Sequence, residues 1–294
     1  MRTLTTCLLT AFVFGACEST DPNLSPSLVP AETFDAMMRN YQTNGRPDVI
    51  QLAAGTYLTR GSSAWTLAAG DSIVGAGMKR TVIRRMDTKA RAVINGWTPA
   101  GNNQARIADL TIDANAKLAG KEAACGIIGL NWTNCTVERV QVIRLGSYVP
   151  KESESFGIML SCSTDCAIRN CVVERNVAGY VSAFTISGRN TAISNSRADF
   201  SWVPGWDTRL QAFCLAGAAD CGGSSNLSII NNRTSNARFA VFCDTGKRID
   251  GITIAGNRCL LRTHQNAFAQ GIRLVGGLQY TNVKMNGNFF RIVE

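Results

Sequence analysis

Asn190-Thr-Ala-Ile193-Ser-Asn-Ser196 is one copy of a short phrase that recurs along the second half of the chain. The phrase is a polar residue, two spacers, an aliphatic residue, two spacers, and usually a small or polar residue. The copies begin with Asn134-Cys-Thr-Val137, Asp165-Cys-Ala-Ile168, Asn190-Thr-Ala-Ile193, Asn226-Leu-Ser-Ile229, Gly251-Ile-Thr-Ile254 and Asn282-Val-Lys-Met285, and they end at Val140, Cys171, Ser196, Asn232, Asn257 and Asn288. They start 25 to 36 residues apart, and internal periods of this size predict stacked supersecondary units.

A second strand-like run precedes each copy of the phrase. These runs are Gly126-Ile-Ile-Gly-Leu130, Gly157-Ile-Met-Leu160, Ala183-Phe-Thr-Ile186, Ala212-Phe-Cys-Leu215, Ala240-Val-Phe-Cys243 and Gly271-Ile-Arg-Leu274. Short β runs joined by turns, with no long helix between them, predict parallel strands stacked coil on coil. Asn and Asp side chains would then align at the turns and hydrogen-bond to one another and to the turn backbone.

The N-terminal third predicts a helix followed by strands. Residues 30 to 43 carry Phe34, Met37, Met38 and Tyr41 at the spacing of one helix face. Strand-like runs follow at Val49–Leu52, Asp71–Gly75 and Thr81–Ile83.

The N-terminal region has, in order, a helix, then Ile50-Gln-Leu-Ala-Ala-Gly-Thr-Tyr57, then Ser72-Ile-Val-Gly-Ala-Gly-Met-Lys-Arg-Thr-Val-Ile-Arg84. In this order the region resembles the opening coils of the pectate lyase and pectin lyase superfamily. The resemblance implies an all-β fold over residues 31–294: a single-stranded right-handed parallel β-helix, a solenoid with a short N-terminal capping helix. That superfamily contains lyases, hydrolases, epimerases, phage tailspikes and adhesins, so the resemblance implies a fold more than an activity.

The first 17 residues predict export. Arg2 precedes an apolar stretch, Leu4–Gly15, that is too short to span a membrane. Phe14-Gly-Ala-Cys17 resembles a bacterial lipoprotein box, which would make Cys17 a lipid anchor; ordinary cleavage after Cys17 is the alternative. The polar, proline-containing residues 18–30 predict a flexible tether. We therefore expect an extracellular, periplasmic or cell-surface protein that contacts a membrane only through Cys17.

The charge balance favours an acidic partner. Thirty Lys and Arg against 21 Asp and Glu give a net charge of +9, which favours an acidic polysaccharide, a nucleic acid or an anionic surface. The positive residues are scattered and no nucleic-acid-binding module is recognisable, so we expect an acidic polysaccharide and no nucleic acid. We also expect a monomer.

Nine cysteines remain after Cys7 and Cys17, and all of them follow residue 124. An odd number leaves at least one thiol free or paired elsewhere, although disulfides are expected in an exported protein. Cys135 and Cys166 share one repeat position and should stack as a disulfide or as buried thiols. No CxxC pair is present and His264 is the single histidine, so no metal site is predicted from these residues.

Alternation along the upstream strands predicts which residues face a substrate, because the superfamily's enzymes bind substrate along one parallel sheet. The residues predicted to face inward are Ile128, Leu130, Ile158, Leu160, Phe184, Ile186, Phe213, Leu215, Val241, Cys243, Ile272 and Leu274. The residues predicted to face outward are Gly129, Met159, Thr185, Cys214, Phe242 and Arg273, followed by Asn131, Ser161, Ser187, Ala216, Asp244 and Val275.

This outward face lacks the motifs of a glycoside hydrolase. Such hydrolysis uses two carboxyl groups, and the Asp-Asp, Gly-His-Gly and Arg-x-Lys motifs of the polygalacturonase-like members are absent. A lyase instead neutralises a uronate carboxylate, often with Ca²⁺, and removes the C5 proton with a base. Asp244, Arg273 and Lys247 are the candidates for these roles, although Asp244-Thr-Gly-Lys247 also reads as a plain turn and Arg273 as a solvated side chain. Ca²⁺ is a candidate cofactor without a clustered carboxylate site.

The segment 199–211 predicts a loop that walls the binding groove. Trp202 and Trp206 could stack on sugar rings, while Asp207 and Arg209 could contact uronate or hydroxyl groups. The alternative is a loop that its tryptophans pack onto the coils.

Two functions remain open from the sequence. The first is a polysaccharide lyase acting on an acidic, uronate-containing glycan. The second is a non-catalytic carbohydrate-binding or surface-adhesion β-helix, and a structural role in a larger assembly is a third possibility.

Overall fold

The computed structural model describes residues 27–118, 123–146, 154–176, 180–201, 210–217, 222–245, 248–263, 269–274 and 280–293. The predicted signal segment, Cys17 and most of the tether lie outside these ranges. None of the helices in the described ranges has the length and apolarity needed to cross a membrane.

The described chain is built almost entirely of short strands after one helix. The helix is α1 (Ala31–Thr43), with single 3-10 turns at Gly61–Ser63 and Ala116–Leu118. The strands are β1 (Leu28–Val29), β2 (Val49–Gln51), β3 (Gly55–Thr59), β4 (Ser72–Val74), β5 (Thr81–Arg85), β6 (Ala92–Asn103), β7 (Arg106–Asp113), β8 (Cys125–Thr133), β9 (Thr136–Ile143), β10 (Glu154–Thr164), β11 (Ala167–Arg169), β12 (Val172–Glu174), β13 (Tyr180–Arg189), β14 (Ala192–Ser194), β15 (Arg197–Asp199), β16 (Leu210–Gly217), β17 (Ser224–Ile230), β18 (Arg233–Ala237), β19 (Phe239–Thr245), β20 (Ile249–Ala255), β21 (Arg258–Arg262), β22 (Gln270–Leu274), β23 (Tyr280–Asn286) and β24 (Phe289–Val293).

These strands stack in parallel into three sheets around one apolar core, making about seven right-handed turns. Sheet 1 contains β6, β8, β10, β13, β16, β19 and β22. Sheet 2 contains β2, β4, β11, β14, β17, β20, β23 and the first halves of β7 and β9. Sheet 3 contains β1, β3, β5, β12, β15, β18, β21, β24 and the second halves of β7 and β9. The predicted parallel β-helix is confirmed.

The polar residue that opens each phrase forms a corner of its coil. Two columns of left-handed residues, five positions apart, flank the strands of sheet 2, with φ between 49° and 77°. The first column is Gln104, Asn134, Asp165, Asn190, Asn226, Gly251 and Asn282, and the second is Asp109, Arg139, Asn170, Asn195, Asn231, Gly256 and Gly287. Asn and Gly dominate because they tolerate positive φ better than other residues. The recurring polar residues of the phrase are therefore explained by the left-handed backbone conformation at the corners.

The last residue of the phrase turns into the core and forms a ladder. The Asn257 side chain accepts the backbone N–H of Asn232 at 2.9 Å and donates to Asn288 Oδ1 at 2.8 Å and to the carbonyl of Ile229 at 3.0 Å. The Asn232 side chain accepts the N–H of Ser196 at 2.8 Å in the same way. The predicted stacking of amide side chains at the turns is confirmed, and the ladder satisfies polar groups that water cannot reach.

The inward and outward assignment for sheet 1 is confirmed from β10 onward and wrong for β8. Ile128 and Leu130 lie outside the main core and pack with Met159, whereas Ile127 faces inward in register with Ile158. The two adjacent isoleucines left alternation undecided by itself.

Trp132 explains the shift in β8. Its indole is fully buried and lies where a Cβ on Gly129 or Gly96 would be, at 2.7 and 2.2 Å. Gly96 and Gly129 are in register, so both must face inward to make room for the ring. Leu130 rather than Asn131 therefore faces outward, in register with Ser161.

Helix α1 caps the N-terminal end of the coils. Phe34 and Met38 are buried, and the Phe34 and Tyr57 rings lie 5.3 Å apart. Asp35 is fully buried and accepts hydrogen bonds from Thr59 Oγ1 at 2.6 Å and from Arg60 Nε at 2.9 Å, so its charge is neutralised. The predicted helix and the three strands after it are confirmed.

Seven described cysteines are buried: Cys125, Cys135, Cys166, Cys171, Cys214, Cys243 and Cys259. Of these, Cys125, Cys166, Cys171, Cys243 and Cys259 are free, which confirms that some thiols stay unpaired. Cys135 and Cys166 stack as predicted, as thiols, with the Cys135 N–H 3.3 Å from Cys166 Sγ. Burial raises the pKa of the Cys171, Cys243 and Cys259 thiols to about 12. Cys162 is disulfide-bonded.

The outer surface of sheet 2 carries an ion network. Glu138 is contacted by Arg106 at 2.7 Å, Arg169 at 2.8 Å and Arg139 at 3.1 Å, and Arg139 also pairs with Asp109 at 2.6 Å. These residues come from three successive coils, so the network ties the coils together across sheet 2.

Candidate functional site

Most of the predicted site residues lie outside the described residues. This holds for Trp202, Trp206, Asp207 and Arg209 of the predicted groove wall, and for Lys247. The segment 199–211 does join two strands, because β15 ends at Asp199 and β16 begins at Leu210. Of the predicted site residues, the structure describes Arg273 and the backbone of Asp244.

Arg273 lies on the outward face of sheet 1, as predicted. Its register partner on β19 is Phe242, and its side chain is exposed. The guanidinium carbon lies 5.2 Å from the Phe239 ring centroid and 5.9 Å from that of Phe242. Arg238 lies over the same Phe239 ring at 4.9 Å. A guanidinium over an aromatic face is held by the ring quadrupole, which positions Arg273 without neutralising its charge.

Asp244 sits on the strand next to Arg273. It pairs in register with Ala216 and lies two residues beyond Phe242 on β19. Strand spacing and rise then put its Cα about 8 Å from the Cα of Arg273. The two backbones are therefore close enough for both side chains to reach one ligand.

The middle of the outward face is covered. Thr185, Cys214 and Phe242 all point away from the core in one register column, yet each is less than a tenth exposed. The Thr185 hydroxyl is buried without a hydrogen-bond partner among the described residues. Cys214, Phe239 and Phe242 form a small apolar cluster beneath Arg273. The open part of this column is at Arg273.

A polar group on sheet 1 was missed by the sequence reasoning. Ser182 Oγ contacts the carboxylate of Glu154 and lies 2.8 Å from Gln211 Oε1. Glu154 is the first residue of β10. Aligning Phe156, Ser182 and Gln211 as one register column would have revealed it. Glu154 is four strands from Arg273, about 19 Å away at the usual strand spacing, so the two do not share one site.

The described residues do not form a calcium site. Nowhere in the described ranges do three or more His, Cys, Asp or Glu side chains cluster to hold a metal ion. Clustered oxygen ligands are what Ca²⁺ requires. The arrangement around Arg273 is instead suited to binding an anion, because the charge is exposed and the buried rings beneath it hold the guanidinium in place.

No family model and no curated protein matches the chain. Solved structures do match. PfbA, a surface adhesin of Streptococcus pneumoniae, aligns at 14% identity over 88% of this chain and 68% of its own, with a TM-score of 0.63. A mutant tailspike protein of E. coli bacteriophage HK620 aligns at 13% identity over 91% of this chain, with a TM-score of 0.64. A second HK620 tailspike mutant, in complex with a pentasaccharide, aligns with a TM-score of 0.62 at 13% identity.

The chain spans 54% of the tailspike's length, so the likeness covers about half of that protein. Identities this low compare folds only. Together with the register described above, they define this chain as a right-handed parallel β-helix protein.

Proposed function

We propose that this protein binds an acidic, uronate-containing polysaccharide on the outward face of sheet 1. The observation that carries the proposal is Arg273, an exposed cation held over the rings of Phe239 and Phe242. A guanidinium matches a carboxylate bidentately, and the buried rings beneath Arg273 hold that guanidinium in place. The net charge of +9 favours the same class of ligand, and we propose that a monomer binds it.

The solved structures support a carbohydrate-related role. One tailspike of this fold was solved with a pentasaccharide, and PfbA is a surface adhesin. Both alignments cover at least 88% of this chain.

We propose lyase-type elimination as the chemistry of this site. Asp244 and Arg273 lie on adjacent strands, about 8 Å apart at Cα. In this mechanism Arg273 would neutralise the uronate carboxylate and so acidify the C5 proton. Lys247 is the candidate base that removes it, and the leaving oxygen departs from C4 to give an unsaturated product. Trp202, Trp206, Asp207 and Arg209 stay predictions for the groove wall.

The test is an elimination assay with a parallel binding assay. Purified protein is mixed with pectate, alginate or chondroitin, with and without Ca²⁺, and the ultraviolet absorbance of the unsaturated product is followed. We expect absorbance to rise on one substrate, to fall at least tenfold in Arg273→Ala and in Asp244→Asn, and to persist in Arg46→Ala, which removes an exposed arginine near the cap.

The outcomes separate the enzyme from the binding protein. No absorbance, but binding that Arg273→Ala weakens, would leave a non-catalytic glycan-binding β-helix. No binding to any of the three polymers would contradict the proposed function itself.

We also propose that the protein is exported, with a signal segment at residues 1–17 and lipidation at Cys17. The disulfide at Cys162 supports this, because disulfides persist in oxidising compartments. Globomycin treatment of producing bacteria would test lipidation, since accumulation of the uncleaved precursor is expected for a lipoprotein and not for a protein with an ordinary signal peptide.

A further inference from the structure

Sheet 3 carries a column of cations that the proposed function does not use. Arg197, Arg233 and Arg258 are in register on β15, β18 and β21, and Phe289 continues the column on β24. All four side chains are exposed. Neighbouring strands lie about 4.8 Å apart, so the column offers one arginine per coil over three coils.

Two of these arginines are not neutralised. Arg197 pairs with Asp199 at 2.7 Å and with Glu174 at 3.4 Å. Within the described part of the chain, no carboxylate lies within ion-pair distance of Arg233 or Arg258. Like charges directly opposite each other on adjacent strands destabilise a sheet. A bound anion would remove that repulsion.

The surface around the column has room for a ligand. A hollow of about 510 Å³ lies on one side of Arg233 and includes Arg197 and Lys79 in its lining. A second hollow of about 630 Å³ is lined by Arg233, Arg258 and Phe289. Arg233 lines both hollows, so the two lie on either side of its side chain, and we call them the sheet 3 hollows.

The sheet 3 hollows combine charge with an apolar surface. Phe289 is 56% exposed, and Leu260, on the adjacent strand, is 42% exposed. An exposed ring beside exposed guanidinium groups suits a sugar with a carboxylate, because the pyranose face packs on the ring while the guanidinium binds the acid. A single-stranded nucleic acid would call for several rings on which successive bases stack. Phe289 is the one aromatic ring in this column among the described residues.

We propose that sheet 3 holds a second binding site, distinct from that of Arg273, for an acidic oligosaccharide, in which Arg233 and Arg258 each bind a carboxylate and Phe289 packs on a sugar ring. The site lies on a different sheet from Arg273 and shares no residue with it. It goes beyond the proposed function and does not depend on it.

The test is calorimetric titration of the full chain with oligogalacturonate of defined length. We expect two binding sites per chain. Arg233→Gln with Arg258→Gln should leave one site, and Arg273→Gln should leave the other. Arg39→Gln, which removes an exposed charge from α1, is the matched control and should change neither site. Circular dichroism of each variant establishes that it is folded.

Further variants test the chemistry of the site. Arg258→Lys keeps the charge but loses the bidentate fork, so affinity at the sheet 3 site should fall about tenfold. Phe289→Ser should weaken the site without altering its dependence on salt. A neutral oligogalactoside of the same length should not bind.

Other results of these titrations would contradict specific parts of the proposal. Unchanged stoichiometry in the Arg233→Gln, Arg258→Gln double variant, or no uronate binding by the unaltered protein, overturns the sheet 3 site. Tighter binding of a single-stranded oligonucleotide than of oligogalacturonate at this site overturns its assignment to a glycan. One site that is lost only in the double variant supports the sheet 3 site and contradicts the role of Arg273.

Discussion

At the residue scale, the interior asparagine ladder explains why the repeat ends in Asn in its last three copies. Asn257 is fully buried and bonded to the coils before and after it through Asn232 and Asn288. Each amide satisfies a backbone group that the corner would otherwise leave without a partner in the core, so this position controls the stability of the corners.

Replacing Asn257 by Ala should therefore be costly. The change leaves the buried Asn232 N–H without its partner and removes the amide's bonds to Asn288 and to the Ile229 carbonyl, and we expect the free energy of unfolding to fall by about 3 kcal/mol. Urea denaturation measures this.

Asn226→Gly is the control. Asn226 is exposed at a left-handed corner, and the next coil already has Gly251 there, so we expect a loss below about 1 kcal/mol. Equal losses in the two variants would mean that the ladder contributes little beyond the corner itself.

The limits of sequence reasoning are also clearest at single residues. The corner positions could be predicted from the sequence because few residue types tolerate positive φ, and nearly every copy of the phrase places one of those types at the corner. The facing of β8 was not readable, because it depends on Trp132 filling the space above Gly96 and Gly129, a contact between neighbouring coils. Glu154 was missed because a charge at a strand end resembles a loop residue until the register is known.

At the element scale, sheet 2 should respond to acid. Hydrogen bonding to Arg139 lowers the pKa of Asp109. Burial would raise the pKa of Glu138, but hydrogen bonds from Arg106 and Arg139 and their charge outweigh burial and lower it. Carboxyl groups with lowered folded-state pKa stabilise the fold above their unfolded values, about 3.9 and 4.3, and this stabilisation is lost as pH falls through the folded values.

We expect the free energy of unfolding to decline from about pH 5 to pH 3. In the double variant Asp109→Asn, Glu138→Gln it should be lower at pH 7 and less dependent on pH over this range, as measured by urea denaturation at a series of pH values. Parallel pH profiles for the variant and the unaltered protein would place the acid sensitivity elsewhere.

The strands could be predicted because alternating apolar residues mark each strand and the corner residues mark its two ends. Within the candidate site, only the outward position of Arg273 could be predicted, because Arg273 lies inside a strand marked in this way. The candidate groove wall between β15 and β16 has no repeat to align it, so its residues stay predictions. The sheet 3 arginine column was not predicted, because it becomes visible only when Arg233 and Arg258 are set side by side by the register.

At the scale of the whole molecule, the two ends of the solenoid differ. Helix α1 covers the first coils, while Leu274, Met285 and Ile292 in the last coil are each more than two-fifths exposed. Their register partners Cys243, Ile254 and Leu261 are buried, so these three side chains continue the core columns into the last described coil. That coil has a neighbour on one side only among the described residues, and coil stability depends on neighbour contacts.

Hydrogen exchange should follow this asymmetry. Amides of β22, β23 and β24 should exchange faster than those of β13, β14 and β15, because local opening of the last coil breaks one interface instead of two. Exchange followed by mass spectrometry measures this, with β3 beneath α1 as the capped control. Strong protection of β22–β24 would indicate that a further coil or another chain covers them.

The parallel register also decides how the molecule bears mechanical load. Hydrogen bonds between coils run along the solenoid axis, perpendicular to the strands. Tension along that axis therefore breaks the hydrogen bonds between one pair of coils at a time. The coils unfold one after another, and each step releases 25 to 36 residues of extended chain. A shearing force across the axis instead loads all the hydrogen bonds of one coil interface together, so the protein should resist shear better than tension along its axis.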